Sequence, residues 1–327
     1  MGHAICLGEI LIDCFSEQPG RSQGEVKNWT PLPGGASANV ACALAKLGNA
    51  VEFIGAVGQD HWGKALVKLL GDMNVGHQGV QYRLKAPTRE VYVVKESNGD
   101  RTFAGFSESD PTVFADAHLF SSAIEPALFK SASFLVLGTL LLAYSDSRES
   151  VEQAVALAAE RGASILVDVN WRPMFWPKPA EAPSRIYDLL QKTHFLKVSD
   201  DEAYWLFGTK SAQAIAHQLP HLKGVLVTAG QQGCHYCFPT LTGAKQIEGH
   251  IAGFDVDVEE TTGAGDAFTA GFVHQLLHKG VSCLHDGAAA HEVVTFASAM
   301  GALTTTRPGA IAALPTPSEI EVFLYLN

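Results

Sequence analysis

Thr261-Thr262-Gly263-Ala264-Gly265-Asp266-Ala267-Phe268 is the stretch on which the reading of this chain turns. Small residues run without interruption into a segment whose apolar positions Phe268, Phe272 and Leu276 recur every four, the spacing of one helical face. The spacing predicts a helix over roughly Ala264 to His278, with free backbone amides and the positive end of its dipole at the glycine-rich start. Such a start is a concave anion site that suits phosphate, with Gly263, Ala264 and Gly265 supplying the approach. Asp266 then has two readings. It can be a first-turn acid that favours the dipole, or a base that takes a proton from a nucleophile attacking the bound anion.

Working outward, strands and helices alternate. Ala4 to Leu7 reads as a buried first strand, Ala36 to Leu47 as a helix closed by Gly48, and Val51 to Val57 as a strand. The alternation recurs through Phe134 to Leu137, the helix Ser147 to Glu160 stopped by Gly162, and the strand Ile165 to Asp168. It continues through the strands Phe195 to Val198 and Val225 to Thr228 and a last helix over Ala288 to Leu303. Strands separated by helices imply an α/β fold whose mostly parallel sheet is covered on both faces. Two stretches, Leu11 to Pro33 and Val80 to Phe106, instead hold short alternating segments such as Glu90 to Lys95, with hairpin punctuation at Asn98-Gly99-Asp100. They read as a small second sheet, a lid inserted into one domain spanning residues 1–327.

Lys+Arg 23 against Asp+Glu 34 gives a net charge of −11, which argues against affinity won by neutralising a nucleic-acid backbone or an anionic lipid surface. The longest apolar run, Ser131 to Ser145, is shorter than the ~20 residues of a bilayer span. With no Lys or Arg before Arg21, and Glu9 and Asp13 breaking its apolar run, the amino terminus does not read as a signal peptide, and a cytoplasmic protein is expected. The six cysteines are too scattered for a disulfide framework. Cys234 and Cys237 flank a dipeptide, but on a strand such positions face opposite ways and cannot chelate one ion. His274 and His278 have helical metal-ligand spacing without a third ligand or the glutamate a zinc protease carries. Gly58 to Ala65 imitates a phosphate-binding loop, but Ala65 stands where a magnesium-binding hydroxyl belongs, so it reads as a turn into the helix Lys64 to Leu70. No side chain is therefore assigned as a metal ligand.

A second motif, Pro33-Gly34-Gly35-Ala36-Ser37-Ala38-Asn39-Val40-Ala41, is a Gly-Gly turn into a helix that places an amide side chain in its first turns. Glycines allow close approach to the backbone, and Asn39 can both donate to and accept from hydroxyls. Asp13 adds a third group suited to a polyol.

These two motifs, in this order, resemble those of the ribokinase-like (PfkB) sugar kinases, and the resemblance runs from about Ile5 to Pro315. It implies a three-layer α/β/α sandwich with a mostly parallel central sheet and a small β-sheet lid. Several segments are most similar to fructokinases: Asp168-Val169-Asn170-Trp171-Arg172-Pro173 with Trp176, Leu196 to Glu202, Gly138-Thr139-Leu140, and Ala302 to Ala310. The resemblance implies ATP-dependent phosphorylation of a sugar, most simply D-fructose to D-fructose 6-phosphate. Asp266 would be the base, the amides of Ala264, Gly265 and Asp266 would stabilise charge on the transferring phosphoryl group, and Gly263, Ala264 and Gly265 would belong to the catalytic loop. Asp13, Gly34, Gly35, Asn39, Asn170 and Arg172 would hold sugar hydroxyls. Lys197, Glu202, Thr228, Gly230, Gly233 and Ser298 would lie along ATP, with Mg2+ held mainly by phosphates and a monovalent cation such as K+ as a further cofactor. A homodimer joined through the lid near Val91 to Val94 is expected, with no nucleic-acid or membrane partner.

The chain departs from the family pattern at Glu260 (for aspartate), Ser199 and Ser298 (for asparagines), and in the lid stretch Phe106 to Thr112. A doubly wound dehydrogenase would need a glycine fingerprint that Gly8-Glu9-Ile10-Leu11 does not supply. A silent kinase-like scaffold would have no use for Asp266. Ribokinase, ketodeoxygluconate kinase and nucleoside kinase activities remain open within the family.

Overall fold

In chain order the elements are β1 (His3–Leu7), β2 (Leu11–Ser16), β3 (Trp29–Gly34), α1 (Ala36–Lys46), β4 (Val51–Gly58), α2 (His61–Asp72), β5 (Gly76–Arg83), β6 (Glu90–Lys95) and β7 (Arg101–Phe106). They continue with β8 (Ala132–Leu137), α3 (Ser145–Glu160), β9 (Ser164–Asp168), α4 (Ala182–Leu190), β10 (Phe195–Ser199), α5 (Asp200–Phe207) and α6 (Ala212–Gln218). The last are β11 (Gly224–Thr228), β12 (Cys234–Pro239), β13 (Gln246–Ile251), α7 (Ala264–Lys279), α8 (Gly287–Thr304) and α9 (Pro317–Leu326). The computed structural model describes residues 2–18, 20–95, 101–239 and 246–327.

Among these residues nine strands form one sheet in the order β13-β12-β11-β10-β9-β8-β1-β4-β5. It is parallel from β11 through β5, and β12 and β13 close one end antiparallel. The period-two alternation of each strand divides its side chains between two cores. Ile5 and Leu7 of β1 and Leu135 and Leu137 of β8 join α3 to α6, while Ala4, Cys6, Phe134 and Val136 join α1, α2, α7 and α8. The same alternation separates the two thiols expected to diverge: Cys237 lies in the first core and Cys234 in the second, and burial pushes both up to about 12.

The lid is a second sheet in the order β3-β2-β6-β7, with β2 and β6 parallel and the outer pairs antiparallel. Two expectations are corrected here. Val80 to Arg83 belongs to β5 and pairs with Gly55 to Gly58 of β4, so the second lid excursion begins at Glu90 and not at Val80. The segment alternates apolar and polar residues because β5 is an edge strand of the main sheet, a pattern that sequence alone cannot distinguish from a lid strand. Val91 to Val94 is not an open edge either, because β6 is paired on both sides and Val91 and Val94 are buried. The hairpin expected at Asn98-Gly99-Asp100 falls outside the described residues.

The imitation of a phosphate loop is a helix start of another kind. Asp60 caps α2 by accepting from the Gly63 amide at 2.7 Å, and its carboxylate also accepts from Thr88 N (2.7 Å) and Thr88 Oγ1 (2.8 Å). That ties the chain just ahead of β6 to the body. No helix among the described residues is long and apolar enough to cross a membrane.

Candidate active site

Two clefts meet at the first turn of α7. The first, of about 480 Å³, lies under the lid and is lined by Asp13, Gly35, Asn39, Asn170, Arg172 and Asp266, with Gly263 at its end. The second, of about 500 Å³, lies between the β11–β12 region and α8 and is lined by Thr228, Gly230, Gly233, Ala264, Ser298 and Ala302. Thr261 and Gly265 line both, so the glycine-rich start of α7 is the shared wall. Gly263 caps that helix with φ 79°, a left-handed conformation that glycine adopts without the cost a Cβ would bring. The helix accordingly begins without a side-chain cap, and its first amide, Ala264 N, donates to Thr261 O at 3.2 Å.

Asp266 stands in that first turn. Burial disfavours its charge, and the nearby Asp168 adds to this; Asn39, Lys197 and Arg172 act the other way, leaving it raised to about 6. Beneath it, Lys197 Nζ binds both oxygens of Asp168 (3.1 and 3.0 Å), whose Oδ2 also accepts from Thr269 Oγ1 at 2.9 Å. Burial acts to lower the Lys197 pKa, but Asp168 and Glu202 hold it above the ordinary lysine value. A Cβ on Gly265 would come within 2.9 Å of that Nζ, which fixes how closely the ammonium approaches the helix start.

Of the residues expected to meet the sugar, Asp13, Gly35, Asn39, Asn170 and Arg172 line the lid-side cleft. Gly35 has φ 103°, and a Cβ there would meet the Glu9 carbonyl oxygen at 2.6 Å, so the turn admits only glycine. Gly34 does not line the cleft; the space left by its missing side chain is taken by the Asp13 carboxylate, 2.1 Å from where a Cβ would stand. Asn170 has φ 41° and lines the cleft with Arg172. Lys197 and Glu202 line this cleft and not the second one. Glu202 accepts from Trp171 N (2.6 Å) and Ser199 N (2.8 Å), while Ser199 Oγ accepts from Glu202 N (3.2 Å). Ser199 is thus the helix cap of α5, a duty serine performs as well as asparagine.

Thr228, Gly230, Gly233 and Ser298 do gather in the second cleft, where Ser298 Oγ is buried with no partner among the described residues. Glu260, buried behind the α7 start, accepts from the Gly309 amide at 2.8 Å.

Glu9 was not anticipated as a site residue. It is buried at the end of β1, lines the lid-side cleft and accepts from Ala36 N at 2.7 Å; burial, set against that amide and its own, raises it to about 7. An acid closing an otherwise apolar strand is the signal that could have found it. The lid turns Leu11, Phe15, Val91, Val93 and Phe103 toward the cleft, an apolar roof over a polar floor. Among the described residues no group of three or more His, Cys, Asp or Glu side chains is arranged to hold a metal ion.

The family model described as pfkB family carbohydrate kinase matches residues 1–317. A probable fructokinase of Arabidopsis thaliana is 35% identical over 331 residues, spanning 100% of this chain and 97% of that protein. The crystal structure of a fructokinase with bound ATP from Xylella fastidiosa superposes with a TM-score of 0.88 at 28% identity, covering 99% of this chain and 98% of that one. A Vibrio cholerae fructokinase double mutant, in its fructose, ADP and potassium ion bound form, superposes with a TM-score of 0.82 at 29% identity, covering 99% and 98%.

Proposed function

The chain belongs to the pfkB family of carbohydrate kinases, phosphotransferases with an alcohol group as acceptor, and from that premise we propose that it is an ATP-dependent fructokinase forming D-fructose 6-phosphate. The observation that carries this reading is the junction of the two clefts at Thr261 and Gly265, with Asp266 on its lid side. ATP occupies the second cleft along Thr228, Gly230, Gly233 and Ser298, and the sugar occupies the lid-side cleft. Asp13, Asn39, Asn170 and Arg172 meet its hydroxyls, a mixed set of acceptors and donors that a polyol needs.

In this mechanism Asp266 takes the proton of the acceptor hydroxyl as its oxygen attacks the γ-phosphorus. The bond from that phosphorus to the β,γ-bridging oxygen breaks, and ADP leaves with the bonding electron pair. In this reading the amides of Ala264, Gly265 and Asp266 stabilise charge on the transferring group, so most of the catalysis is positioning and electrostatic stabilisation. A pKa raised to about 6 leaves Asp266 ionised at pH 7 and more basic than an exposed carboxylate.

Among the described residues no group of three or more His, Cys, Asp or Glu side chains is arranged to hold a metal ion, and Glu202 accepts from two backbone amides. Mg2+ therefore belongs to this proposal as the partner of the nucleotide phosphates. For a monovalent cation such as K+, the orphaned Ser298 Oγ is an oxygen of the right kind beside the nucleotide cleft, and replacing K+ by tetramethylammonium checks the requirement.

A homodimer through the lid would use the outer strands β3 or β7, which have free edges in the sheet order. Light scattering that shows a fully active monomer at high micromolar concentration would end that idea. A cytoplasmic location is proposed with it, and fractionation of cells checks it.

The deciding experiment is an ADP-release assay over fructose, ribose, ketodeoxygluconate and adenosine. Highest kcat/KM on fructose is expected. Preference for ribose, ketodeoxygluconate or adenosine would reassign the substrate within the family, and no turnover on any of them would favour a silent scaffold.

A further inference from the structure

We propose that Trp205, on the outer surface of α5, is a positioning residue that holds Asn170 and Arg172 toward the sugar; this rests on the assignment of the lid-side cleft to the acceptor. The residues between β9 and the Phe175 region are fixed at both ends. At one end Val169 N donates to Lys197 O (3.1 Å) and Val169 O accepts from Thr139 Oγ1 (2.5 Å). At the other, Phe175 O accepts from Tyr144 OH at 2.6 Å. Between them Asn170 has φ 41°, a conformation that costs a non-glycine residue energy and persists only where the surroundings impose it.

What imposes it is the residue in the middle. Asn170 and Arg172 line the cleft, and Trp171 does not. Its indole stacks on Trp205, with ring centroids 4.4 Å apart and planes 13° apart, and meets the buried Trp176 at 5.5 Å. Its amide donates to Glu202 Oε1 at 2.6 Å, and its carbonyl accepts from Arg172 Nη1 at 3.0 Å. Glu202 and Trp205 are three residues apart on α5 and so lie on neighbouring turns of one helix face. A single helix thus grips both the ring and the backbone of Trp171. Trp205 remains 38% exposed, more than a tryptophan recruited only to fill a core would be.

The test uses the full chain with Trp205→Ala, Trp205→Leu and Trp205→Phe. Leucine keeps an apolar side chain without a ring to stack, so it serves if the alanine variant folds poorly. Stacked aromatic pairs of this kind support an expected rise of about 3- to 10-fold in sugar KM for the alanine and leucine variants. ATP KM and kcat should stay within about twofold. Phenylalanine should recover most of the loss, and adding Trp205→Ala to Asn170→Ala should raise sugar KM by less than Trp205→Ala does alone, the remainder reporting Arg172.

Amide hydrogen exchange of the peptide covering residues 169–176 gives a readout independent of turnover. It should accelerate in Trp205→Ala and Trp205→Leu and stay slow in Trp205→Phe. Unchanged exchange, full additivity with Asn170→Ala, or an equal rise in the KM of ATP would overturn the proposal. If the unaltered protein phosphorylates no sugar while exchange still accelerates in the variants, the clamp stands and the assignment of the cleft falls.

Discussion

Asn39 of α1 donates its Nδ2 to Asp266 Oδ2 of α7 at 2.8 Å, while its own Oδ1 is buried and accepts from none of the described residues. The contact joins the two glycine-led helix starts. It commits one oxygen of the carboxylate and leaves Asn39 with accepting capacity beside it, which suits a hydroxyl about to lose its proton to Asp266.

The most direct expectation concerns the base itself. Asp266→Asn keeps the shape and removes charge and basicity, so kcat should fall by about 10²- to 10⁴-fold with much smaller changes in KM for sugar and ATP. Steady-state kinetics of the purified variant measure both. Near-normal turnover on every sugar would remove Asp266 from the mechanism.

A pH profile reads the same group in the unaltered protein. With Asp266 raised to about 6, kcat/KM should fall on the acid side as pH drops through that value, because the protonated carboxyl cannot accept the hydroxyl proton. Asn39 lowers that pKa by donating to the charged form, so Asn39→Ala should move the acid limb upward as well as raise sugar KM. An acid limb that stays in place after Asn39→Ala would contradict the electrostatic role given to that contact.

Stability should show the complementary trend. A carboxyl whose pKa is raised on folding holds its proton longer in the folded state, so its penalty is absent below the unfolded value near 4 and grows until pH passes about 6. Asp266→Asn should therefore gain stability relative to the unaltered chain across that interval, by about 3 kcal/mol at most, and keep the gain at higher pH. Thermal melts at pH 4.5 and pH 8 compare the two; a gain confined to the lower pH would reverse the sign and refute the argument.

Gly35→Ala tests the lid-side turn. At φ 103° with the Glu9 carbonyl oxygen 2.6 Å from the new methyl group, the substitution has no cheap accommodation. A loss of about 2 kcal/mol or more is expected, with sugar KM raised through displacement of Glu9 and Asn39. Denaturant titration with parallel kinetics checks both quantities.

Asp168→Ala should be among the most damaging changes outside the acceptor contacts. It would leave the buried Lys197 ammonium without its main partner, and breaking a buried pair from one side costs about 3–5 kcal/mol. If the variant melts like the unaltered protein, Lys197 must have discharged or found another partner.

The main layers were legible because each strand and helix carries its own period. β1, α1, β4, β8, β9, β10, β11, α7 and α8 fall at the expected places within a few residues. The glycine-led starts of α1 and α7 were legible for the same local reason. What escaped was decided by tertiary partners. β5 alternates as a lid strand would, and only its pairing with β4 places it in the main sheet. Lys197 and Glu202 were expected beside the nucleotide, yet one is drawn to Asp168 and the other to the amides of Trp171 and Ser199. Glu9 gains its place in the cleft from α1, whose Ala36 amide holds it.

The lid is woven from two separate excursions, since β2 (Leu11–Ser16) is completed on one side only by β6 (Glu90–Lys95). During synthesis the early hairpin of β2 and β3 therefore waits with an unpaired edge until the chain through β4, α2 and β5 has emerged. Pairing across such a separation in sequence is slow to form, because the loop must close before any ladder bond rewards it. A nascent protein stalled before Glu90 would therefore carry an adhesive strand where the finished one carries a roof.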